Sequence, residues 1–425
     1  MNRHTKRRII PPISRRSVLK GAVAGGVAWL GQSLFGTAPL MVFAQGERAP
    51  GDVLVVVFQR GGVDGLSLVV PHGEGGAYYD VRPTIALRES ELYDLDGFFG
   101  LHPRLEGFKE IFAQGDLGVI HAAGSPDPSR SHFDAMEYME RGTPGQKSTP
   151  SGWLARHLAS TPWTNPSPFR AVGMGTMVQS ALRGPVSALS LQSIADFHLQ
   201  GRDDQLGALQ RALSSLYLAD ADPLLAQGAD ETMRTIGELA SVAQDDYTPA
   251  GDASYPDTEF GWHLRQVAQL IKADVGLEVA CVDAGGWDTH EEQGATDGWL
   301  GGMIGDFGAS LTAFYTDLSE HMNRVTVVTM SEFGRRVTEN ASRGTDHGHG
   351  NVMFVMGGGV AGGVHTRWPG LGAEALDDGD LAITTDYRDV LAEVLTKRLG
   401  NPALSEVFLG YTPTLGSILR PRSFG

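Results

Sequence analysis

Short, unbroken apolar runs separated by glycine-rich turns set the rhythm of this chain. Asp52–Phe58 (DVLVVVF), Asp116–His121 (DLGVIH), Leu277–Val282 (LEVACV), Val325–Val328 (VTVV) and Val352–Met356 (VMFVM) are rich in β-branched residues. Runs of this kind are strands buried on both faces, as in a parallel sheet. Between them, apolar residues recur at helical spacing. This pattern predicts helices over Leu105–Ala113, from near Ser131 through Phe133, Met136 and Tyr138, over Thr258–Ala273, and over 297–322. A last helix, capped within 384–389, presents Leu391, Val394 and Leu395 on one face. Strands alternating with helices predict an α/β fold with a mostly parallel central sheet.

Residues 150–250 break the rhythm. GWLARHLAS suits a short helix, PSPFRAVGMG and PVSALSL suit short strands and loops, and Leu206–Leu218 and Glu231–Ala243 suit amphipathic helices. We read this stretch as a partly helical insertion covering the sheet. His157 and His198 within it are expected to be structural or exposed.

The strand ends carry the chemistry. In an α/β sheet, ligands bind outside the carboxyl ends of the strands. Asp64 follows the first strand in Arg60-Gly61-Gly62-Val63-Asp64-Gly65, where glycines allow a tight turn. Arg60 beside it suits an anion or a surface acid. After the second strand, Ser131 falls at a helix start, flanked by Arg130 and His132. A serine there either caps the helix or acts as a nucleophile at an anion-binding N-terminus. Asp288 and His290 follow the next strand, spaced so that both side chains can reach one ion. Asp283, just ahead of them, is a candidate for holding that loop. Ser331 and Glu332 follow the strand after that, and a loop then holds Asp346, His347 and His349.

The chain has 425 residues, 41% hydrophobic, enough for one large α/β domain with insertions or for two domains. Net charge is −16. Residues 1–44 hold seven of the 34 Lys and Arg and none of the 50 acids, so the remainder carries 27 bases against 50 acids, a net of −23. Such a surface repels nucleic acid and anionic lipid. An anionic ligand then needs a local cationic centre, and a metal ion is the obvious one. The single cysteine, Cys281, excludes an internal disulfide and a thiolate metal site.

The first 44 residues resemble a twin-arginine signal peptide. Ser14-Arg15-Arg16-Ser17-Val18-Leu19-Lys20 precedes an apolar Gly/Ala-rich stretch, and Val42-Phe43-Ala44 ends in the small residue a signal peptidase prefers. The resemblance implies a chain handled by the twin-arginine translocase and exported folded to the periplasm or beyond. No other run is long enough to span a membrane. The domain is then 45–425.

The strand-end acids and histidines, in this order, resemble the alkaline phosphatase-like fold, which includes sulfatases, cofactor-independent phosphoglycerate mutases and nucleotide pyrophosphatases. The segments Arg60-Gly61-Gly62-Val63-Asp64-Gly65-Leu66, Ser129-Arg130-Ser131-His132-Phe133, Gly285-Gly286-Trp287-Asp288-Thr289-His290, Ser331-Glu332-Phe333-Gly334-Arg335 and Gly344-Thr345-Asp346-His347-Gly348 together also resemble a bacterial domain-of-unknown-function family, DUF1501. The first resemblance implies a three-layer α/β/α sandwich with two divalent ions flanking a transferred phosphoryl or sulfuryl group. By position, Asp64 matches the first acid, Ser131 (or Ser129) the hydroxyl nucleophile, Asp288 and His290 the later pair, Glu332 the fourth acid, and His347 or His349 the final histidine. Arg130 or Arg335 would neutralise the anion's remaining oxygens. The chain departs from that pattern at Phe333, where the superfamily places histidine, and in the short Asp288–His290 interval. Carboxylate and imidazole ligands suit Zn, Mn, Mg or Ca. The implied substrate is a small-molecule or polymer-borne anionic ester, with a non-catalytic metal-binding or scaffold role as the alternative.

Overall fold

The computed structural model describes residues 51–161, 165, 167–195, 234–237, 242 and 247–422. The expected signal peptide, His198, the helix expected at Leu206–Leu218 and most of that expected at Glu231–Ala243 lie outside the described residues. Twelve strands are present among the described residues: β1 (Val53–Gln59), β2 (Val69–Val70), β3 (Tyr93–Asp94), β4 (Gly100–Leu101), β5 (Leu117–Gly124), β6 (Ala171–Met174), β7 (Leu189–Leu191), β8 (Val279–Ala284), β9 (Val325–Met330), β10 (Asn351–Met356), β11 (Gly363–His365) and β12 (Thr385–Asp386). Helices of eight or more residues are α1 (Glu106–Ala113), α2 (His132–Arg141), α3 (Trp153–Ser160), α4 (Glu259–Lys272), α5 (Trp299–Asp317) and α6 (Tyr387–Lys397).

Nine strands form one sheet in the order β11-β5-β10-β9-β1-β8-β6-β7, with β12 also on β5; β2, β3 and β4 form a small second sheet. β1 lies centrally, parallel to β8 and β9, with Leu54 opposite Val279 and Val53 opposite Val325. β6 and β7 extend the parallel run, and only β10 is antiparallel, to both β9 and β5. The apolar runs are therefore buried over their full length, as their lack of alternation predicts.

The strand's two faces serve two cores. Val53, Val55 and Val57 pack with α1, α4 and α5 through residues such as Phe108, Leu264 and Phe307. Leu54, Val56 and Phe58 pack with α2, α3 and α6 through Met139, Trp153 and Leu391. This is a three-layer α/β/α sandwich. No helix among the described residues is long and apolar enough to cross a membrane.

This topology gathers the motifs. The carboxyl ends of β1, β5, β8 and β9 and the amino end of β10 share one edge, so the loops after 59, 124, 284 and 330 and the loop before 351 meet there. They meet at backbone contact distance. Gly61 has φ +124°, and a Cβ on it would lie 2.6 Å from the Asp288 amide nitrogen. A Cβ on Gly348 would lie 2.3 Å from the Arg335 carbonyl carbon. Gly61→Ala is therefore expected to cost about 1–3 kcal/mol, from both its φ and its clash. A urea midpoint unchanged from the parent would contradict this packing.

Candidate metal centre

Three histidines and one aspartate converge at this edge. The Asp288 Oδ1 atom lies 3.0 Å from His290 Nε2, 3.1 Å from His347 Nε2 and 3.5 Å from His132 Nε2. Each ring's other nitrogen faces an acceptor. His132 Nδ1 is 2.7 Å from Glu332 Oε1, His290 Nδ1 is 3.2 Å from Asp346 Oδ1, and His347 Nδ1 is 2.9 Å from the Arg130 carbonyl oxygen. Assigned from this network, the proton sits on Nδ1 in every ring, and each Nε2 presents a lone pair to the centre.

That assignment creates a conflict that a cation resolves. His290 Nε2 and His347 Nε2 are 2.9 Å apart, so two lone pairs face each other beside a carboxylate oxygen. His132 Nε2 is buried with no hydrogen-bond partner. Ligand atoms on a tetrahedral ion at about 2.0–2.1 Å stand roughly 3.3 Å apart, and the three separations from Asp288 Oδ1 bracket that spacing. Ligand atoms of His132, Asp288 and His347 all lie within 4.8 Å of one another, whereas His290 meets Asp288 and His347 but stands outside that set. Imidazole rings oriented by carboxylates and a carbonyl are the usual outer shell of a metal site. The residues present therefore fit a divalent ion.

The surroundings fix this set. Arg335 is buried and donates to the carbonyls of Gly61, Gly62 (2.5 Å), Trp287 (3.0 Å) and Thr345 (2.8 Å), and to Asp288 Oδ1 (2.6 Å). Burial raises the Asp288 carboxyl, but the hydrogen bond and positive charge of Arg335 bring it down to about 2. Hydrogen bonding to Glu332 raises the His132 imidazole against its partial burial, whereas burial lowers His347. Phe333 packs against both rings, with centroids 4.9 Å from His132 and 4.7 Å from His347. The cluster is open on one side, where the Asp288 side chain is 48% exposed and that of His290 38%.

A family profile described as "Protein of unknown function (DUF1501)" matches residues 116–401, from β5 to just past α6. The chain belongs to the DUF1501 family. A search of curated protein sequences finds no match. Among solved structures, the chain is similar to the lipoteichoic acid synthase LtaP from Listeria monocytogenes, with 9% identity over 79% of this chain and 75% of that one and a TM-score of 0.32. It is similar to alkaline phosphatase from the Antarctic bacterium TAB5, with 9% identity over 73% of this chain and 92% of that one and a TM-score of 0.29. It is also similar to the C-terminal periplasmic domain of EcEptC from Escherichia coli, in complex with Zn, with 10% identity over 74% of each chain and a TM-score of 0.31.

Several residues expected as ligands have other positions in this DUF1501 fold. Asp64 is fully buried away from the cluster. Both its oxygens bind Arg82, at 2.7 and 3.1 Å, and Ser67 and Gln293 donate to Oδ2 at 2.7 Å each. A carboxylate paired in both lobes with a buried guanidinium has no lobe left for an ion. His349 points the other way, between Asp377 Oδ2 and the Ser125 carbonyl, both at 3.0 Å. Glu332 and Asp346 belong to the site as holders of His132 and His290, not as members of the converging set. Glu332 is buried and also accepts from the Gly61 amide at 2.8 Å and from Ser331 Oγ at 3.1 Å.

The arginines also differ from expectation. Arg335 has its donors on carbonyls and Asp288, so it is not free for an anion, while Arg130 pairs through Nη2 with the buried Asp380 and keeps its side chain 34% exposed. Arg60 pairs with Glu140 (3.3 Å) and Asp283 (2.8 Å). Ser131 is the N-cap residue of α2, exposed, with its hydroxyl making no capping bond. Ser129 Oγ accepts the Ser131 amide at 3.2 Å. Sequence reasoning missed Arg82, Asp380 and Asn340, whose amide bonds Asp346 Oδ1 (3.0 Å) and the His290 carbonyl (2.9 Å). None lies in a motif; only the chance of a buried partner for each buried acid pointed to them.

Two predictions separate the buried ion pair from the cluster. Burial raises the Asp64 carboxyl, yet Arg82, Ser67 and Gln293 hold it below 3.8. A depressed carboxyl contributes stability above its unfolded value that is lost as pH falls through the folded one, so this contribution disappears only below about pH 3.8. Asp64→Asn is expected to cost about 3–5 kcal/mol by leaving Arg82 buried and unpaired, with bound metal per folded chain unchanged. Asp288→Ala is expected to abolish bound metal. Elemental analysis paired with urea unfolding checks both; metal lost with Asp64→Asn in a folded chain would return Asp64 to the ligand set.

Proposed function

We propose that this chain is an exported, metal-dependent hydrolase of a phosphate or sulfate ester, built around one divalent ion. The observation that carries the reading is the convergence of three imidazole Nε2 atoms on Asp288 Oδ1 beside the start of α2, where Ser131 keeps a hydroxyl free of capping duty. His132, Asp288 and His347 would hold the ion, with His290 beside them against Asp288 and His347. An ion so held stabilises charge developing on an ester oxygen and lowers the pKa of an oxygen nucleophile.

The protein's own groups do the rest. Ser131 is the candidate nucleophile, and the hydrogen bond that Ser129 Oγ accepts favours Ser131 over it. The first intrahelical bond of α2 runs from Ala135 to the Ser131 carbonyl, so the N–H groups ahead of it have no intrahelical acceptor. With the helix dipole they suit the anionic oxygens of the ester. Arg335 is engaged on carbonyls and Asp288, which leaves these N–H groups, with Arg130 nearby, as the candidates for that task. Glu332 accepts from His132 Nδ1 and keeps its Nε2 lone pair inward. The twin-arginine-like residues 1–44 support a site of action outside the cytoplasm.

The alternative is an exported metal-binding protein without turnover, favoured by one observation: Asp64, the acid that would help hold a second ion, is locked to Arg82. Ser131→Ala separates the two. The hydrolase reading expects turnover of simple phosphate or sulfate monoesters to fall at least about a hundredfold while metal content stays at the parent value. Turnover undetectable in the parent across both ester classes, with metal bound, would leave the alternative. Glu332→Gln is expected to weaken metal binding about 10–100-fold through loss of ring orientation, read by competition with a chelator; unchanged affinity would remove Glu332 from the site.

A further inference from the structure

The three most exposed large hydrophobic side chains among the described residues all lie at the edge that carries the metal cluster. They are Phe133, 87% exposed, Trp299, 66%, and Met177, 65%; the next are near 42%. Phe133 directly follows His132 at the start of α2. Trp299 opens α5, and its indole N–H donates to the Gly286 carbonyl at 3.3 Å, two residues before Asp288. Met177 lies three residues past the carboxyl end of β6, in a loop tied to α2 by the Ser180–Glu137 hydrogen bond of 3.0 Å. Single exposed apolar residues are ordinary, but three at one edge around a polar centre mark a binding surface.

We propose that these side chains form an apolar rim for the organic part of the substrate, and that the ester is amphiphilic, with its anionic head at the cluster and an alkyl chain across Phe133, Trp299 and Met177. The proposal rests on the hydrolase reading and adds the substrate class. The net charge of −23 beyond residue 44 opposes docking on an anionic bilayer and on nucleic acid. Phe133 and Met177 offer no hydrogen-bonding group to sugar hydroxyls, which favours an alkyl chain over a glycan. The openness of the cluster lets the chain lie along the surface instead of filling a cavity.

The test compares ethyl and dodecyl phosphate, and ethyl and dodecyl sulfate, on the metal-loaded chain below micelle-forming concentrations. Turnover is followed alongside calorimetric binding. The dodecyl ester is expected to have a kcat/KM at least about tenfold higher. Phe133→Ser and Trp299→Ser should each collapse that ratio, whereas Leu409→Ser, at an exposed residue beside the far end of α2, should preserve it. A ratio near one, or one that survives both rim substitutions, overturns the proposal while leaving the hydrolase reading intact. If neither ester is turned over, chain-length-dependent binding lost in Phe133→Ser supports the rim and removes the hydrolase reading; binding independent of chain length, or none, overturns the rim. Binding to phosphatidylcholine vesicles that is lost in the rim variants overturns it in favour of membrane docking.

Discussion

The edge of the sheet is organised around one carboxylate oxygen, Asp288 Oδ1. Three imidazole nitrogens and the Arg335 guanidinium reach it, and each histidine is aimed there by an acceptor on its other nitrogen. Lone pairs gathered this closely repel unless positive charge lies among them. The fold tolerates the arrangement because every supporting group is held from a different loop: Glu332 from the end of β9, Asp346 and His347 from the segment before β10, and the Arg130 carbonyl from the approach to α2. The loops must touch for this to work, and the glycines at 61 and 348 are where they do.

A second constraint bears on the proposal of one ion and not two. A two-ion site needs a second set of uncommitted carboxylates, and Asp64 is the natural first member. Here Arg82 fills that role with a guanidinium, buried just after the short helix Gly76–Tyr79 and bonded also to the Val337 carbonyl at 2.7 Å. A fixed internal cation thus stands beside the acid that would otherwise seek a mobile one. Phe333 follows the same logic. It is a packing surface for His132 and His347.

Much of the fold was legible in the chain. Continuous β-branched runs cannot be half-exposed strands, so a parallel sheet with two covered faces follows, and the strand-end motifs had to share an edge. Strand ends shifted by one to three residues, and the helix expected over 297–322 ends at Asp317, because turn geometry, not apolar spacing, decides where an element stops. The site was legible in membership and less so in role. Asp288, His290 and His347 form the core of the cluster, and His132, read as a neighbour of the nucleophile, joins it. Glu332 and Asp346 were read as ligands because a carboxylate near a metal motif looks the same in sequence whether it holds the ion or the histidine. Asp64 and His349 were misplaced for a related reason. Their partners, Arg82 and Asp377, are distant in sequence and carry no motif, so nothing local showed that their polar atoms were already engaged.

X-ray absorption spectroscopy of the metal-loaded chain tests the central claim most directly. The account predicts a first shell of about two to three imidazole nitrogens and a carboxylate oxygen near 2.0–2.1 Å for a zinc-type ion, with no metal–metal scattering. A shell with one imidazole or none, a metal–metal distance of about 3.5–4 Å, or a chain that retains no metal would contradict it.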